Sequence, residues 1–390
     1  MKVTFWISLF IVFYTFAGYG IILYFLVKIR RLVKGKRVVP EINQYFPTLT
    51  LIVAAYNEET LMEEKIRNTL ALQYQKDKVN FLFITDGSSD RTPEIISQYP
   101  EIHLMHSPVR SGKINAIHRA MEEVDSEIVV YTDANTFLNS EALLYIARHY
   151  ADPTVGAVSG EKRVMQDAVS DATAGEGFYW KYESALKKWD SELYSVVGAA
   201  GELFSVRRSL YKDVEPDTIL DDFMISMLIA IQGFRIIYEP DAYASELSSD
   251  NIKEELKRKI RIAAGGIQSI LRLKPLFNPF LNPLLSFQYI SHRVLRWTIT
   301  PFLMILTFLL NILICMKSHD FIFLFILICQ SLFYSMALAG WILEKQKIKI
   351  KALFVPYYFC IMNYAVLAGM IRYYKGSQSA VWEKAKRKSA

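Results

Sequence analysis

The chain has 390 residues, a net charge of +6 and 52% hydrophobic residues. This is more than one ordinary domain needs and richer in apolar residues than a soluble enzyme. The only cysteines, Cys315, Cys329 and Cys360, lie inside apolar runs, which excludes a disulfide framework and a zinc site. The basic residues gather beside those apolar runs, where anionic headgroups account for them, and nothing points to nucleic acid.

In chain order, residues 3–27 come first, an apolar run without a charge. A bilayer core of about 30 Å needs roughly 20 apolar residues in a helix. The run is longer than the core of a cleaved signal peptide and no small-residue cleavage site follows it, so it reads as a retained anchor. Lys28, Arg30, Arg31, Lys34, Lys36 and Arg37 follow, and Arg293 and Arg296 precede the second apolar run. Positive charge stays on the cytoplasmic side. The segment between is therefore expected in the cytosol, with the N-terminus outside.

That segment begins with alternation. Residues 49–55, 79–85, 102–106 and 128–133 read as strands; 59–72, 93–99, 113–124 and 141–150 read as helices. Such alternation implies parallel βαβ units with helices on both sheet faces. Residues 160–250 read as less regular, apart from a small-residue loop at 198–201 and a helix over 221–231 opened by two acids. Residues 252–271 read as a basic helix. Pro275, Pro279 and Pro283 then break an apolar-aromatic run that is expected to lie along the membrane surface. Residues 297–316, 321–343 and 352–371 are further uncharged runs long enough to span. The last has basic residues on both flanks, so a single crossing conflicts with the charge rule; it crosses, re-enters or lies in the interface.

In open α/β sheets ligands bind at the carboxyl ends of the strands. Three polar clusters fall there: Tyr56-Asn57-Glu58-Glu59, Asp86-Gly87-Ser88-Ser89-Asp90 and Asp133-Ala134-Asn135. The acids of the second can accept hydrogen bonds from a nucleobase or ribose, or can simply end a strand in an Asx turn. Asp133 and Asn135 place oxygens two apart, a spacing that can grip a hard divalent cation or make a turn. Gly112-Lys113 opens a helix, where a phosphate is favoured, although this is no Walker loop. Asp221-Asp222 sits among Ile219, Leu220, Phe223 and Met224. An acid beside another acid and apolar walls gains proton affinity, as a general base requires, and Asp also caps helices. Arg258 and Arg261, with Lys257 and Lys259, offer phosphate-matched cations or a headgroup-facing surface.

Taken together, these motifs resemble the family 2 glycosyltransferases, the group of cellulose, chitin and hyaluronan synthases, over about residues 47–268 and in the family's order. The resemblance implies an α/β, Rossmann-like GT-A fold in the cytosol, joined to transmembrane helices. It assigns Tyr56, Asn57, Glu58, Asp86, Lys113, Asp133 and Arg261 to donor binding, with Asp86 on the uridine. It gives Asp133 and Asn135 to a Mg²⁺ or Mn²⁺ ion, Gly198, Gly201 and Asp221 to the acceptor side, and Asp222 to catalysis as the base. Two positions depart from the family. Asn135 replaces the second metal acid. Arg258-Lys259-Ile260-Arg261-Ile262 stands where processive members carry Gln-x-x-Arg-Trp, so the tryptophan that stacks on the acceptor sugar is missing.

The expected organisation is an anchor at 1–30, a GT-A domain at 45–272, an interfacial segment at 273–296, a membrane region at 297–373 and a basic tail at 374–390, in the cell membrane (a bacterial inner membrane) with the catalytic domain cytoplasmic. The expected activity is inverting transfer from a UDP-sugar to a saccharide or polyprenyl-linked acceptor, with membrane lipids as further partners. A processive synthase that also secretes its polymer is the alternative, and a non-catalytic nucleotide-sugar sensor a third reading. A transporter would require ionisable residues within the spans, which the four runs lack.

Overall fold

A computed structural model describes residues 1–165, 173–247, 252–346, 348 and 350–378. Residues 379–390 of the expected tail therefore lie outside the described residues.

Four strands build the first half of the sheet: β1 (Leu49–Ala55), β2 (Val79–Asp86), β3 (Ile102–Ser107) and β4 (Ile128–Asp133). They run parallel in the order β3-β2-β1-β4. The continuous apolar sequences of β1 and β4 follow from their place: Leu49, Leu51, Ile52, Val53, Ile128, Val129 and Val130 are all buried, because helices cover both faces. One face packs on Met62 and Ile66 of the Glu59–Leu70 helix and Leu143 and Ile146 of the Ala142–Ala147 helix. The other packs on Ile114, Ile117 and Met121 of the Lys113–Glu123 helix and on the Asp221–Ile231 helix.

The described part of residues 160–250, read as less regular, carries long strands, and with one short strand before them they complete the sheet. β5 (Thr136–Leu138), β6 (Val155–Met165), β7 (Leu203–Arg207) and β8 (Arg235–Leu247) extend the sheet to eight strands, β3-β2-β1-β4-β7-β6-β8-β5. β7 is antiparallel to both β4 and β6, which ends the βαβ rhythm. β6 and β8 shift register between Gly160 and Glu161 and carry buried charges such as Lys162, Glu239 and Glu246. Apolar alternation is therefore absent where the strands are longest. A 21-residue helix, Thr173–Leu193, connects β6 to β7.

Four helices are long and apolar enough to cross a membrane: Lys2–Lys34, Thr300–Lys317, Phe321–Lys345 and Ala352–Tyr374. The first does not stand apart from the rest. Its Tyr19, Leu23 and Val27 pack on Leu186 and Leu193 of the Thr173–Leu193 helix, and Arg31 forks onto Glu192 at 2.6 Å through both Nε and Nη2. Tyr19 donates to Asp190. Asp190 also accepts from Gln288 at 2.9 Å and meets His292 Nδ1 at 2.7 Å. Glu183, two turns earlier on the same helix face, meets Arg293 and Arg296 at 2.9 Å each. The segment with three prolines forms short helical turns, and Leu273, Leu276, Leu285, Tyr289 and Val294 enter the same core as the sheet.

Candidate active site

The carboxyl ends of β1, β2 and β4 open onto two adjoining hollows. The first is a narrow cleft lined by Ala54, Tyr56, Asp86, Arg110, Gly112 and Lys113, among others. Asp86, at the end of β2, is buried. Its Oδ2 accepts from the backbone N–H groups of Ser111 and Gly112 at 2.9 and 2.6 Å. Its Oδ1 has no hydrogen bond among the described residues and lies 3.6 Å from Arg119. Both carboxylate oxygens are thus engaged on the cleft's inner side, Oδ2 by the backbone and Oδ1, shut off from solvent, by the Arg119 charge. Tyr56 forms one wall, with the Arg110 guanidinium 3.8 Å from its ring centroid. Asn57 and Glu58 do not line the cleft. Asn57 adopts φ +53° and accepts from the Ser89 N–H at 2.8 Å, while the Glu58 N–H donates to Thr92 at 2.9 Å. These two brace the loop after β2 rather than reaching into the cleft.

Lys113 lines both hollows. Its position at the first turn of a helix aims the ammonium between the end of β4 and the start of the Asp221–Ile231 helix, 2.9 Å from Asp133 and 3.2 Å from Asp221. Burial opposes that charge, but Asp133 and then Asp221 outweigh it and hold the ammonium well above its usual pKa. Behind Asp133, Lys65 is fully buried and donates to the Thr136 carbonyl at 2.7 Å. Burial lowers its pKa to about 7, against the pull of Asp133.

The second hollow is a cavity of about 310 Å³. Asp133, Gly198, Gly201, Asp221, Asp222 and Arg261 all face it, so the structure brings together most of the residues singled out from sequence. Asp222 belongs to the first turn of the Asp221–Ile231 helix. Burial and the neighbouring Asp221 raise its pKa to about 7, with Lys113 opposing. The small-residue loop makes room for it. A Cβ on Gly201 would lie 3.0 Å from the Asp222 carboxylate, and Gly198 holds φ +83° with Phe223 only 2.1 Å from where its Cβ would stand. Ser226 and Ser159 fix the loop by accepting from the Ala199 and Ala200 N–H groups at 2.9 and 3.1 Å. Arg261 donates to the Ile219 carbonyl at 3.2 Å, which turns its guanidinium along the cavity wall.

Asn135 is 7% exposed and does not line the cavity. Among the described residues no three His, Cys, Asp or Glu side chains converge as a ready-made metal cage. Asp133 still fits a hard cation, since Mg²⁺ is commonly held by one or two carboxylates plus substrate phosphates.

Several cavity residues escaped the sequence reading. Lys162 pairs with Glu202 at 2.6 Å and with Glu246. Arg258 stands 3.0 Å from Glu255 and 3.7 Å from Glu246. Arg258, which the sequence did single out, thus joins Lys162 and Lys259 (3.4 Å from Glu255) in a cluster of three cations and three acids. Glu202 directly follows Gly201, so the loop itself was the one signal that could have found it. Trp297 also lines the cavity, packed on Phe223 at 5.5 Å between ring centroids. In the sequence it is only the first residue of an apolar run. Met362, Ala365 and Val366 of the last helix complete the floor.

The model of the family described as Glycosyl transferase family 2 matches residues 50–215. Poly-beta-1,6-N-acetyl-D-glucosamine synthase of Staphylococcus aureus (strain COL) is 28% identical over 241 residues, which is 60% of this chain and 58% of that protein. The enzyme of the same name from Staphylococcus epidermidis is 27% identical over 260 residues, 65% of this chain and 62% of its own length. The alignment therefore spans less than two thirds of either relative. Among solved structures, the mannosyltransferase PcManGT from Pyrobaculum calidifontis, in complex with GDP-Man and Mn²⁺, superposes with a TM-score of 0.73 at 24% identity. It covers 95% of this chain and 99% of its own. The likeness extends over the membrane helices as well as the α/β domain, and the α/β domain has the expected GT-A fold.

Proposed function

We propose that this chain, whose residues 50–215 form a family 2 glycosyltransferase domain, moves a sugar from a UDP-sugar to an acceptor hydroxyl presented at the membrane surface, inverting the anomeric carbon. The observation that carries this reading is the meeting of Lys113, Asp133, Asp221 and Asp222 in one cavity beside the Asp86 cleft. The nucleoside lies in the cleft with its donor groups on Asp86 and its ring against Tyr56. The diphosphate lies at Lys113, with Arg261 on the far wall. A Mg²⁺ or Mn²⁺ ion bound by Asp133 would add positive charge at the leaving diphosphate; Asn135 serves it only if its side chain turns toward the cavity.

Asp222 accepts the proton from the acceptor hydroxyl. The acceptor oxygen bonds to the anomeric carbon from the face opposite the diphosphate. The bond from that carbon to the diphosphate oxygen breaks, and UDP departs with its electron pair. A carboxyl with a pKa raised to about 7 suits proton transfer near neutral pH. The lysine and arginine, fixed in place beforehand, stabilise the charge that develops on the leaving group.

The acceptor enters where Trp297, Met362, Ala365 and Val366 close the cavity, so it approaches from the membrane side. This supports a lipid-linked or membrane-surface saccharide in a cell membrane. The name of the staphylococcal relatives supports a second reading, a polymer built by repeated transfer. The test incubates the purified full chain with UDP-glucose, UDP-N-acetylglucosamine and GDP-mannose and follows nucleotide release and product length. UDP release that stops in Asp222→Asn supports the proposal, and product length separates single transfer from polymerisation. Nucleotide-sugar binding without any turnover across the panel would make the chain a sensor instead.

A further inference from the structure

We propose that a second cavity, at the C-terminal end of the first membrane helix, binds the phosphate of an anionic phospholipid. This cavity has a volume of about 450 Å³ and is framed by residues 31–40, the beginnings of β6 and β8, and the end of the Thr173–Leu193 helix. It is separate from the catalytic cavity. Val155 opens β6 at this end, while Lys162 reaches the catalytic cavity seven residues later, roughly 20 Å along a strand.

Its charges fall into two sets. Arg31, Arg148 and Arg235 are committed to Glu192, Glu239 and Asp152. Lys36, Arg37 and Lys188 also line the cavity and, among the described residues, make no ion pair. Arg37 Nε is shut off from solvent without a hydrogen-bond acceptor, and so is Nη1 of Arg30 nearby. Burial and then the charge of Arg30 lower the Arg37 pKa to about 10. Arg37 is half-buried with an unmet Nε donor, and its guanidinium is met by a phosphate oxygen through a charge-assisted hydrogen bond.

The surroundings select a lipid over a free anion. Leu32 is 86% exposed and Val38 92% exposed, on either side of the cationic group. Apolar side chains so placed are satisfied by acyl chains. Tyr24 and Trp189 pack edge to face at 5.4 Å on the membrane side of the cavity, the aromatic pairing expected at headgroup level. The site also touches catalysis. The Thr173–Leu193 helix carries Lys188, Ser191 and Glu192 here and Glu183 and Lys187 in the catalytic cavity. A headgroup bound at one end braces the wall of the active site at the other.

The test titrates the delipidated full chain, in neutral detergent, with phosphatidylglycerol, phosphatidylcholine or inorganic phosphate and reads the melting temperature. Phosphatidylglycerol should raise it where equal phosphatidylcholine and millimolar phosphate do not. Arg37→Gln with Lys188→Gln should weaken the apparent affinity for phosphatidylglycerol at least ten-fold, and Lys34→Gln, exposed and outside the cavity, should leave it unchanged. Arg37→Lys, which keeps the charge but not the fork, should weaken it at least three-fold and covers the case in which the double variant does not fold. No response to phosphatidylglycerol, an undiminished response in both Arg37 variants, or an equal loss in Lys34→Gln would overturn the site. An equal response to inorganic phosphate would overturn its assignment to lipid.

Discussion

A carboxylate that takes a proton from a sugar hydroxyl at neutral pH needs a pKa near the working pH. Asp222 gains that from burial and from Asp221, which raise it to about 7. Asp222→Asn is nearly isosteric, so donor binding should persist while transfer falls by roughly 10²–10⁴, the usual worth of a general base. Asp221→Asn should do less harm. In the wild type, transfer should climb as pH rises toward about 7 and level off above it; a flat profile from pH 5 to 8 would take the role from Asp222. The same shift bears on stability. A folded-state pKa raised above the unfolded value means the native protein holds more protons between those values. Stability is then lost as pH rises through the folded pKa. Asp222→Asn removes that loss, so its melting temperature should exceed that of the wild type by more at pH 8 than at pH 5. The positions of Asp86 and Asp222 were legible because each is a polar residue at the edge of an apolar run, and that of Lys113 because a Gly-Lys pair opens a helix. Lys162, Glu202 and Glu246 were not, because each looks like an ordinary surface charge until β6, the 198–201 loop and β8 bring them together.

Elements read well where one physical cause dominated. Both β1 and β4 matched their sequence reading because burial on both faces demands unbroken apolar runs. The Asp221–Ile231 helix matched because two acids precede nine residues with no breaker. Neither β6 nor β8 could be read, since their polar residues are satisfied by partners far away in sequence. The last helix is the case where charge and length pulled apart. Near one end, its Leu353 carbonyl lies 2.5 Å from where a Cβ on Gly340 would stand, close to the end of the Phe321–Lys345 helix. Near the other, a Cβ on Gly369 would lie 2.6 Å from Ala263 and 2.7 Å from the Ile260 carbonyl, on the basic helix of the catalytic domain. From these two contacts we expect both basic flanks on the side of the catalytic domain, as the charge rule asks. In a chain with its native cysteines replaced, Gln346→Cys and Gly376→Cys should both resist an impermeant thiol reagent in intact cells, and Ser318→Cys should react. Labelling of Gly376→Cys without lysis would show a full crossing.

At the scale of the whole molecule, the boundary between enzyme and membrane part is not a linker. Leu273, Leu276, Leu285, Tyr289 and Val294 belong to the core that covers the sheet. A fragment of residues 45–272 should lack a cooperative melting transition and be cut rapidly by trypsin, while the full chain in detergent shows both protection and a single transition. Equal resistance of the fragment would mean the sheet folds without its membrane-side cover. The buried acids of the Thr173–Leu193 helix set an order of events during synthesis. Asp190 and Glu183 have their partners at His292, Arg293 and Arg296, about a hundred residues further along the chain. Until the ribosome has delivered that stretch, Asp190 has the Tyr19 hydroxyl but no cation, and Glu183 lacks both of its arginines. The catalytic wall that Glu183 helps to form is therefore finished only after residue 296 has emerged, late in translation, when the second apolar helix is about to seek the bilayer.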